Sequence, residues 1–599
     1  MTDNNIKARR KSRRGVLLRV CKYLFAHKWL LALAFFLMVT SNVLALVGPY
    51  LSGKALDAIE LGTGSVDIDT VIKYCILMAV VYIVSGVLSY LLAVLMVHIS
   101  QKITYSMRKE LFDHLTELPV GYFDTHQTGD TVSHISYDID TVNASLSNDL
   151  LQICASIITV VGSFVMMVKI SPVLLSVFLF TVPVSIIFTR YKTIHIRPYF
   201  RRRSAKLGEL NGYAEEMLSG QKAIRAYGRE DVITGRFDGK NGEACDAYYD
   251  ADYHGAVIGP AVNFINNLSI SFITMLGGIL YMLTLIMGAS LHPMLRVALC
   301  DVVTFVQYSR KFAGPINEFA NILSEIQSAT SAAERVFNLM DEAPEPLDAE
   351  DAVVLSDVQG KVDIDHVYFG YVPGKTIIKD FNLNCKPGST IAIVGPTGAG
   401  KTTVINLLMR FYDIDRGAIY VDGNEIRQVT RDSLRLSYTM VLQETWLFCG
   451  TVYENIAYGR IGATREEVIA AAKAARIHSY IETLPDGYNT VLSDDGVNIS
   501  KGQKQLLTIA RAMLSDSPML ILDEATSNVD SRTEILIGEA MNELMKGRTC
   551  FVIAHRLSTI QNADRILVIR NGNIEEQGTH DELMRAKGFY ASLYNAQFE

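Results

Sequence analysis

The chain has 599 residues, too many for one ordinary domain. Its mean hydropathy of +0.20 and its charged fraction of only 20% are too apolar for a large soluble protein and point to the membrane class. A net charge of −7 conceals a strongly basic start, and the eight cysteines (21, 75, 154, 245, 300, 385, 449 and 550) show no C-x-x-C pair. Zinc and disulfide frameworks are thereby disfavoured, which fits a reducing cytoplasmic face.

The first fifteen residues crowd together Lys7, Arg9, Arg10, Lys11, Arg13 and Arg14. A cytoplasmic anchor beside lipid headgroups accounts for them, and no aromatic interleaving or binding motif supports the alternative of nucleic-acid binding. The apolar stretch from Trp29 onward is long enough to span a bilayer and does not read as a cleaved signal peptide. Six apolar segments follow one another at about 28–50, 72–97, 148–168, 172–194, 257–287 and 297–323, each near the ~20 residues a crossing needs. An even number of crossings puts both chain ends on one side. The loop at 52–70 carries Asp57, Glu60, Asp67 and Asp69 against Lys54, whereas Arg190, Lys192, Arg197, Arg201, Arg202, Arg203 and Lys206 follow the fourth segment. The positive-inside rule then predicts that both termini are cytoplasmic.

Two polar-side segments, 98–147 and 195–256, keep a helical spacing of apolar residues and lack the Gly- and Pro-marked alternation of small β domains. They predict membrane helices continued into the cytoplasm. Near their tips lie Gly129-Asp130-Thr131 leading into Asp138-Ile139-Asp140, and Glu215-Glu216-Met217-Leu218-Ser219-Gly220, as candidate contacts with the following domain. The expected organisation is a basic N-terminal segment at 1–27, a transmembrane domain at 28–330, a linker at 331–360 with the acidic run Asp341-Glu342-Ala343-Pro344-Glu345-Pro346, and an α/β domain at 361–599.

Within the last domain, the apolar run Ile391-Ala392-Ile393-Val394 leads directly into Gly395-Pro396-Thr397-Gly398-Ala399-Gly400-Lys401-Thr402-Thr403, a G-x-x-x-x-G-K-T pattern. Strand, glycine-rich loop and helix in this order let backbone N–H groups converge on one anion, with the helix N-terminus adding its positive end. Lys401 would reach the β- and γ-phosphates of a triphosphate, and the Thr402 hydroxyl would join the shell of a Mg²⁺. Further on, Met519-Leu520-Ile521-Leu522-Asp523-Glu524 reads as a buried strand ending in two acids. Asp523 would hold Mg²⁺ through water and Glu524 would orient or deprotonate the attacking water; by itself an acidic pair at a strand end is as often a turn.

Ile499-Ser500-Lys501-Gly502-Gln503 precedes the helical run Lys504-Gln505-Leu506-Leu507-Thr508-Ile509-Ala510-Arg511-Ala512. Ser500 and Gln503 form a capping box, a structural role complete in itself, and the helix N-terminus they cap can also face an anion. The segment resembles the signature motif of the ATP-binding cassette, usually L-S-G-G-Q. With it, nearly the whole chain is similar to a half-transporter of the ABC exporter superfamily: a membrane α-helical bundle of six transmembrane helices, exporter type 1, followed by an α/β P-loop ATPase domain.

The resemblance implies further roles. Tyr371 would stack on adenine, Gln443 would sense Mg²⁺ and the γ-phosphate, His555 would hydrogen-bond that phosphate, and Asp530 would run along a dimer seam. Ser500, Gly502 and Gln503 would face ATP held by the opposite subunit's phosphate loop, so that one cassette makes only half-sites. The segments near 138 and 217 match coupling helices. Lys501 departs from the pattern, standing where the signature's first glycine is usual. That departure, beside intact Gln443, Glu524 and His555, resembles one subunit of a heterodimeric exporter with one degenerate ATP site. A homodimer tolerating the substitution is the competing reading.

The expected function is ATP-driven export of amphipathic small molecules, drugs or lipid-like compounds, across a bacterial inner membrane. ATP and Mg²⁺ are the expected cofactors; a second half-transporter subunit, membrane lipids and the substrate are the expected partners, with no nucleic acid. The alternatives are a homodimeric lipid or peptide exporter and an ATP-regulated membrane module that transports nothing.

Overall fold

The computed structural model describes residues 15–598 except 17, 60–65, 288–291, 443–444, 493–498, 524–529 and 554–559. The basic run at 7–14 therefore lies outside the described residues, as do Gln443, Glu524 and His555. The chain falls into two compact units. One takes the chain up to Thr116 and again Thr128–Glu342; the other takes Glu117–Gln127 and Ala343–Glu599.

Apolar runs build the first unit from Lys28–Asp57 (α1) and Ile68–Glu117 (α2), with the short helix Val120–Thr125 (α3) belonging to the second unit. Then come Thr128–Ile170 (α4), Pro172–Ser219 (α5), Gln221–Ala226 (α6), Glu230–Met287 (α7) and Leu299–Met340 (α8). Among the described residues, α1, α2, α4, α5 and α7 are long and apolar enough to cross a membrane. The sixth expected segment is occupied by α8, whose first half carries Asp301, Arg310 and Lys311, so length and composition alone do not single it out. Side chains such as Phe36, Ile83, Phe180 and Ile187 are exposed on the spans, the inverse of a soluble protein and the signature of a lipid-facing surface.

At about 1.5 Å per residue the 50-residue α2 is some 75 Å long, more than twice a hydrocarbon core. The segments at 98–147 and 195–256 are thus largely helical continuations of α2, α4, α5 and α7, as their spacing predicts. Ser171 caps α5, its Oγ accepting from the Leu174 N–H at 3.4 Å, with Pro172 at the first helical position. Two π-helical turns interrupt α4, at His134–Asp138 and Ser145–Asp149. Each inserts an extra residue and rotates the side chains that follow. α4 packs antiparallel to α8: Arg335 binds Asp138 at one end, and Ser309 meets the Met167 sulfur at the other. α8 is also held to α1, where Tyr308 donates to the Leu46 carbonyl at 2.7 Å and Lys311 to that of Ala45 at 3.0 Å.

The second unit is organised on a six-stranded sheet. Its strands are Thr390–Val394 (β3), Tyr438–Val441 (β6), Met519–Asp523 (β9), Thr549–Ile553 (β10), Arg565–Arg570 (β11) and Asn573–Gly578 (β12), in the order β12-β11-β3-β10-β9-β6. All neighbours are parallel except the edge strand β12. Alternation along the buried strands feeds two cores: Ile391, Ile393, Ile521 and Phe551 face one, Ala392, Val394, Leu522 and Val552 the other. Lys401–Leu408 (α9) covers the first face with Val404, Ile405 and Leu408, and Lys501–Ser515 (α10) covers the second with Leu506, Ile509 and Ala510. An antiparallel sheet adds Val362–Phe369 (β1), Ile378–Cys385 (β2), Arg416–Val421 (β4) and Asn424–Glu425 (β5) in the order β2-β1-β4-β5, and Gly450–Thr451 (β7) pairs with Val491–Leu492 (β8).

Within the expected linker at 331–360, α8 continues to Met340. Beyond it the chain is tied down: Arg435 pairs with Glu345, Arg431 with Asp348 at 2.7 Å, and Val353 bridges to Val429.

Candidate functional site

The loop after β3 has a geometry only glycine permits at its ends. A Cβ on Gly395 would run into the Ile569 carbonyl, and Gly400 sits at φ 103°, in the left-handed region. Gly400 is also the N-cap of α9 and supplies no side-chain acceptor, so the first-turn amides face whatever lies beyond the helix end. Pro396 and Thr397 are exposed, and the loop closes on itself where the Ala399 N–H donates to the Pro396 carbonyl at 3.2 Å. Lys401 lies half-buried under the loop, donating from Nζ to the carbonyls of Gly395 at 2.8 Å and Pro396 at 3.1 Å. Burial pushes its ammonium below the usual range, and the nearby Asp523 carboxylate acts in the opposite direction.

Tyr371, just past β1, is 41% exposed. Its hydroxyl donates to Thr403 Oγ1 at 3.3 Å and accepts from Asn406 Nδ2 at 3.2 Å, which fixes the ring beside the first turn of α9. The residues present fit a nucleotide triphosphate: glycines that let amides converge, one cation beneath them, and an exposed aromatic face alongside. The Thr402 hydroxyl, exposed in the first turn of α9, and Asp523, ending β9, are the oxygen donors on hand for Mg²⁺. When bound, that ion would supply positive charge to offset the charge that develops on the phosphates during transfer.

Strand register aligns the ends of four neighbouring strands at this edge. Asp523 pairs with Ile553, Ile553 with Ile393, and Leu522 with Val441, so β3, β6, β9 and β10 end side by side. Gln443, Glu524 and His555 follow β6, β9 and β10 by one or two residues in the sequence and lie outside the described residues.

Ser500 and Gln503 make the expected capping box on α10: the Ser500 N–H donates to Gln503 Oε1 at 2.9 Å and the Gln503 N–H to Ser500 Oγ at 3.3 Å. Ser500 and Lys501 are exposed, Gly502 is buried, and Lys501 is the first residue of the helix. Arg511, deeper in α10, donates to the Asn455 and Trp446 carbonyls and so ties this helix to the chain that follows β6. Asp530 caps the helix Ser531–Met545, accepting from the Thr533 N–H at 3.0 Å.

Asp138 is buried inside the helical unit, where Arg335 and His134 hold it, whereas α3, at Val120–Thr125, packs within the cassette unit. There the Tyr412 hydroxyl donates to Asp124 at 2.5 Å, its ring lies where a Cβ on Gly121 would intrude, and the same ring packs edge-on against Tyr371 at 4.9 Å. Sequence reasoning missed Tyr412, because an aromatic following a helix has the pattern of an ordinary core residue. The other expected tip, Glu215–Gly220, forms the largely exposed end of α5.

Comparison with known proteins agrees with both halves. Residues 31–315 match the family model described as ABC transporter transmembrane region, and residues 378–527 the one described as ABC transporter. The chain is 42% identical to the uncharacterized ABC transporter ATP-binding protein YfiC of Bacillus subtilis (strain 168), over 99% of this chain and 96% of the relative. It is 44% identical to the fatty acid ABC transporter ATP-binding/permease protein of Mycobacterium bovis, over 83% of this chain and 76% of that protein. A solved bacterial Atm1-family ABC exporter with ATP bound superposes with a TM-score of 0.77 at 28% identity, covering 96% of this chain and 98% of its own. Helical unit and cassette are matched together and in the same order, so the chain belongs to the ABC transporter family, as a multi-pass membrane protein of exporter architecture that binds ATP and couples its hydrolysis to transport.

Proposed function

We propose that the protein is one half of a dimeric exporter that moves amphipathic small molecules across a bacterial cytoplasmic membrane, with both termini on the cytoplasmic side. ATP binding closes two cassettes and turns the membrane cavity outward, and hydrolysis resets it. In this reading the domains divide at 28–330 and 361–599, and Lys401, the loop glycines and Tyr371 hold ATP. Mg²⁺ is held by Thr402, Gln443 and Asp523, Glu524 prepares the water, and His555 contacts the γ-phosphate. The observation that carries the reading is a glycine loop and Lys401 assembled beside Asp523 in a chain that also bears membrane-length helices.

An amphipathic substrate is supported by the apolar spans and by the fatty acid transporter among the relatives. Lys501 favours pairing with a different chain, because each ATP site needs one subunit's phosphate loop and the other's signature helix. Purified protein in sealed vesicles should take up an amphipathic dye with ATP and fail to do so repeatedly with a non-hydrolysable analogue. Equal uptake with both would reduce the protein to an ATP-gated or regulatory module.

A further inference from the structure

The chain leaves α9 through a turn that is fixed from outside. Arg410, two residues past the helix, has a left-handed backbone at φ 51°, which a residue with a side chain seldom adopts. Its side chain, 7% exposed, donates to the Ile426 and Val429 carbonyls at 2.8 and 3.1 Å and to Asp413 at 2.9 Å. Arg435, from the helix Arg431–Leu436, reaches the same turn and donates to the Met409 and Arg410 carbonyls at 3.4 and 3.2 Å, taking up acceptors that a helix end leaves unpaired. Its guanidinium also lies over the Phe411 ring, 5.3 Å from the centroid.

What aims Arg435 is the linker. Glu345 accepts from both terminal nitrogens of Arg435, at 2.5 and 3.0 Å, a fork that sets the plane of the guanidinium. Three residues on, Asp348 accepts from the Arg431 guanidinium at 2.7 Å and from the Arg431 backbone N–H at 2.9 Å. Arg431 Nε is buried without a hydrogen-bond partner among the described residues and faces Glu345 Oε1 at 3.5 Å. Arg410, Arg431 and Arg435 are thus balanced by Glu345, Asp348 and Asp413. Neutralising Glu345 leaves a largely buried guanidinium without its counter-charge, a costly arrangement that drives Arg435 toward water and away from the two carbonyls. The turn it would release carries Tyr412, whose ring packs against Tyr371 at 4.9 Å and whose hydroxyl holds Asp124 of α3.

Resting on the reading of Tyr371 as the adenine contact, we propose that Glu345 and Arg435 are positioning residues for nucleotide binding: the linker holds the turn after α9 so that Tyr412 keeps Tyr371 in the orientation that stacks on the base. The phosphate cradle lies at the opposite end of α9 and does not depend on them. Affinity for the base is therefore set by a segment outside the ATP motifs, while affinity for the triphosphate is not.

Equilibrium affinities of the full-length protein in detergent for MgATP and for magnesium tripolyphosphate, which carries no base, test this. Glu345→Gln should weaken ATP binding at least about threefold, the scale of one impaired aromatic contact, and leave tripolyphosphate binding unchanged. Arg435→Lys keeps the charge but loses the fork, should show the same selective loss, and carries the test if Glu345→Gln does not fold. Tyr412→Leu should lower the ratio of the two affinities as well, and combining it with Glu345→Gln should lower it no further, because both act through one contact. Equal weakening toward both ligands would reduce the linker acids to structural support and overturn the proposal, as would unchanged ATP affinity or additive losses in the double variant. Tyr371→Ala separates the two readings. An unchanged ratio in that variant overturns the adenine contact and the proposal with it; a ratio lost there but kept in Glu345→Gln and Arg435→Lys overturns the role of the linker alone.

Discussion

Lys401 is the residue on which the phosphate cradle turns. Its ammonium already sits between two loop carbonyls and within reach of the Asp523 field, so it is positioned by backbone and not by a flexible surface. Lys401→Ala removes this ammonium from under the loop and should weaken nucleotide binding by at least about tenfold, read by titration with a fluorescent ATP analogue. Glu524→Gln should divide differently, leaving ATP affinity close to that of the wild type while slowing hydrolysis about 10²-fold or more, the range for loss of a general base. Near-normal turnover in that variant would remove Glu524 from the role. This pair of outcomes separates holding the phosphate from activating the water. The phosphate loop was legible in the sequence because its glycines answer to local backbone geometry: Gly395 and Gly400 are needed wherever the chain turns this way. Tyr412 was not, since its meaning comes from Gly121 and Asp124, nearly three hundred residues earlier.

Among the elements, the long helices were legible for the same local reason, apolar length, and their extension past the membrane followed from spacing that never broke. The π turns in α4 and its register against α8 were not, because both depend on which side chains meet across helices nearly two hundred residues apart in sequence. Asp138 shows the cost of missing that register: placed at a tip by its polarity, it is in fact buried. Burial alone would raise its carboxyl pKa, but hydrogen bonds from Arg335 and His134 outweigh this and hold it below the usual carboxylate range. A depressed folded value contributes stability that is fully present above the unfolded pKa of about 3.9 and is lost as pH falls through the folded value. Melting of the full-length protein should therefore lose a Asp138-dependent increment only below about pH 4. Arg335→Leu should remove that increment at neutral pH, by roughly 2 kcal/mol, less than for a fully buried pair because the Arg335 side chain is 50% exposed. An unchanged melt at pH 7 would show that the ion pair does not stabilise the packing of α4 on α8.

At the scale of the whole molecule the question is how many different chains make the transporter, and Lys501 decides what should be measured. It occupies the first position of α10, exposed, directly after the Ser500 cap, so its side chain does not disturb the capping box and its N–H remains in the helix's first turn. The substitution therefore changes the face this helix offers outward, not the fold of the cassette that carries it. If a site is completed by the signature helix of the opposite subunit, the altered face impairs the partner's phosphate loop and spares the site that contains Glu524. A partner with an ordinary L-S-G-G-Q and a replaced catalytic Glu is then expected, giving one hydrolytic site and one that retains ATP for longer. In that assembly Lys501→Gly should change turnover by less than about twofold, because the impaired site still lacks its base. In a homodimer both sites would carry Lys501 and Glu524 together, and the same substitution should raise hydrolysis several-fold by restoring close backbone approach to the phosphate. ATPase of this chain alone, and mixed with a candidate second half-transporter, distinguishes the two: activity only on mixing, indifferent to Lys501→Gly, supports the heterodimer, and robust activity of the single chain that rises with Lys501→Gly overturns it.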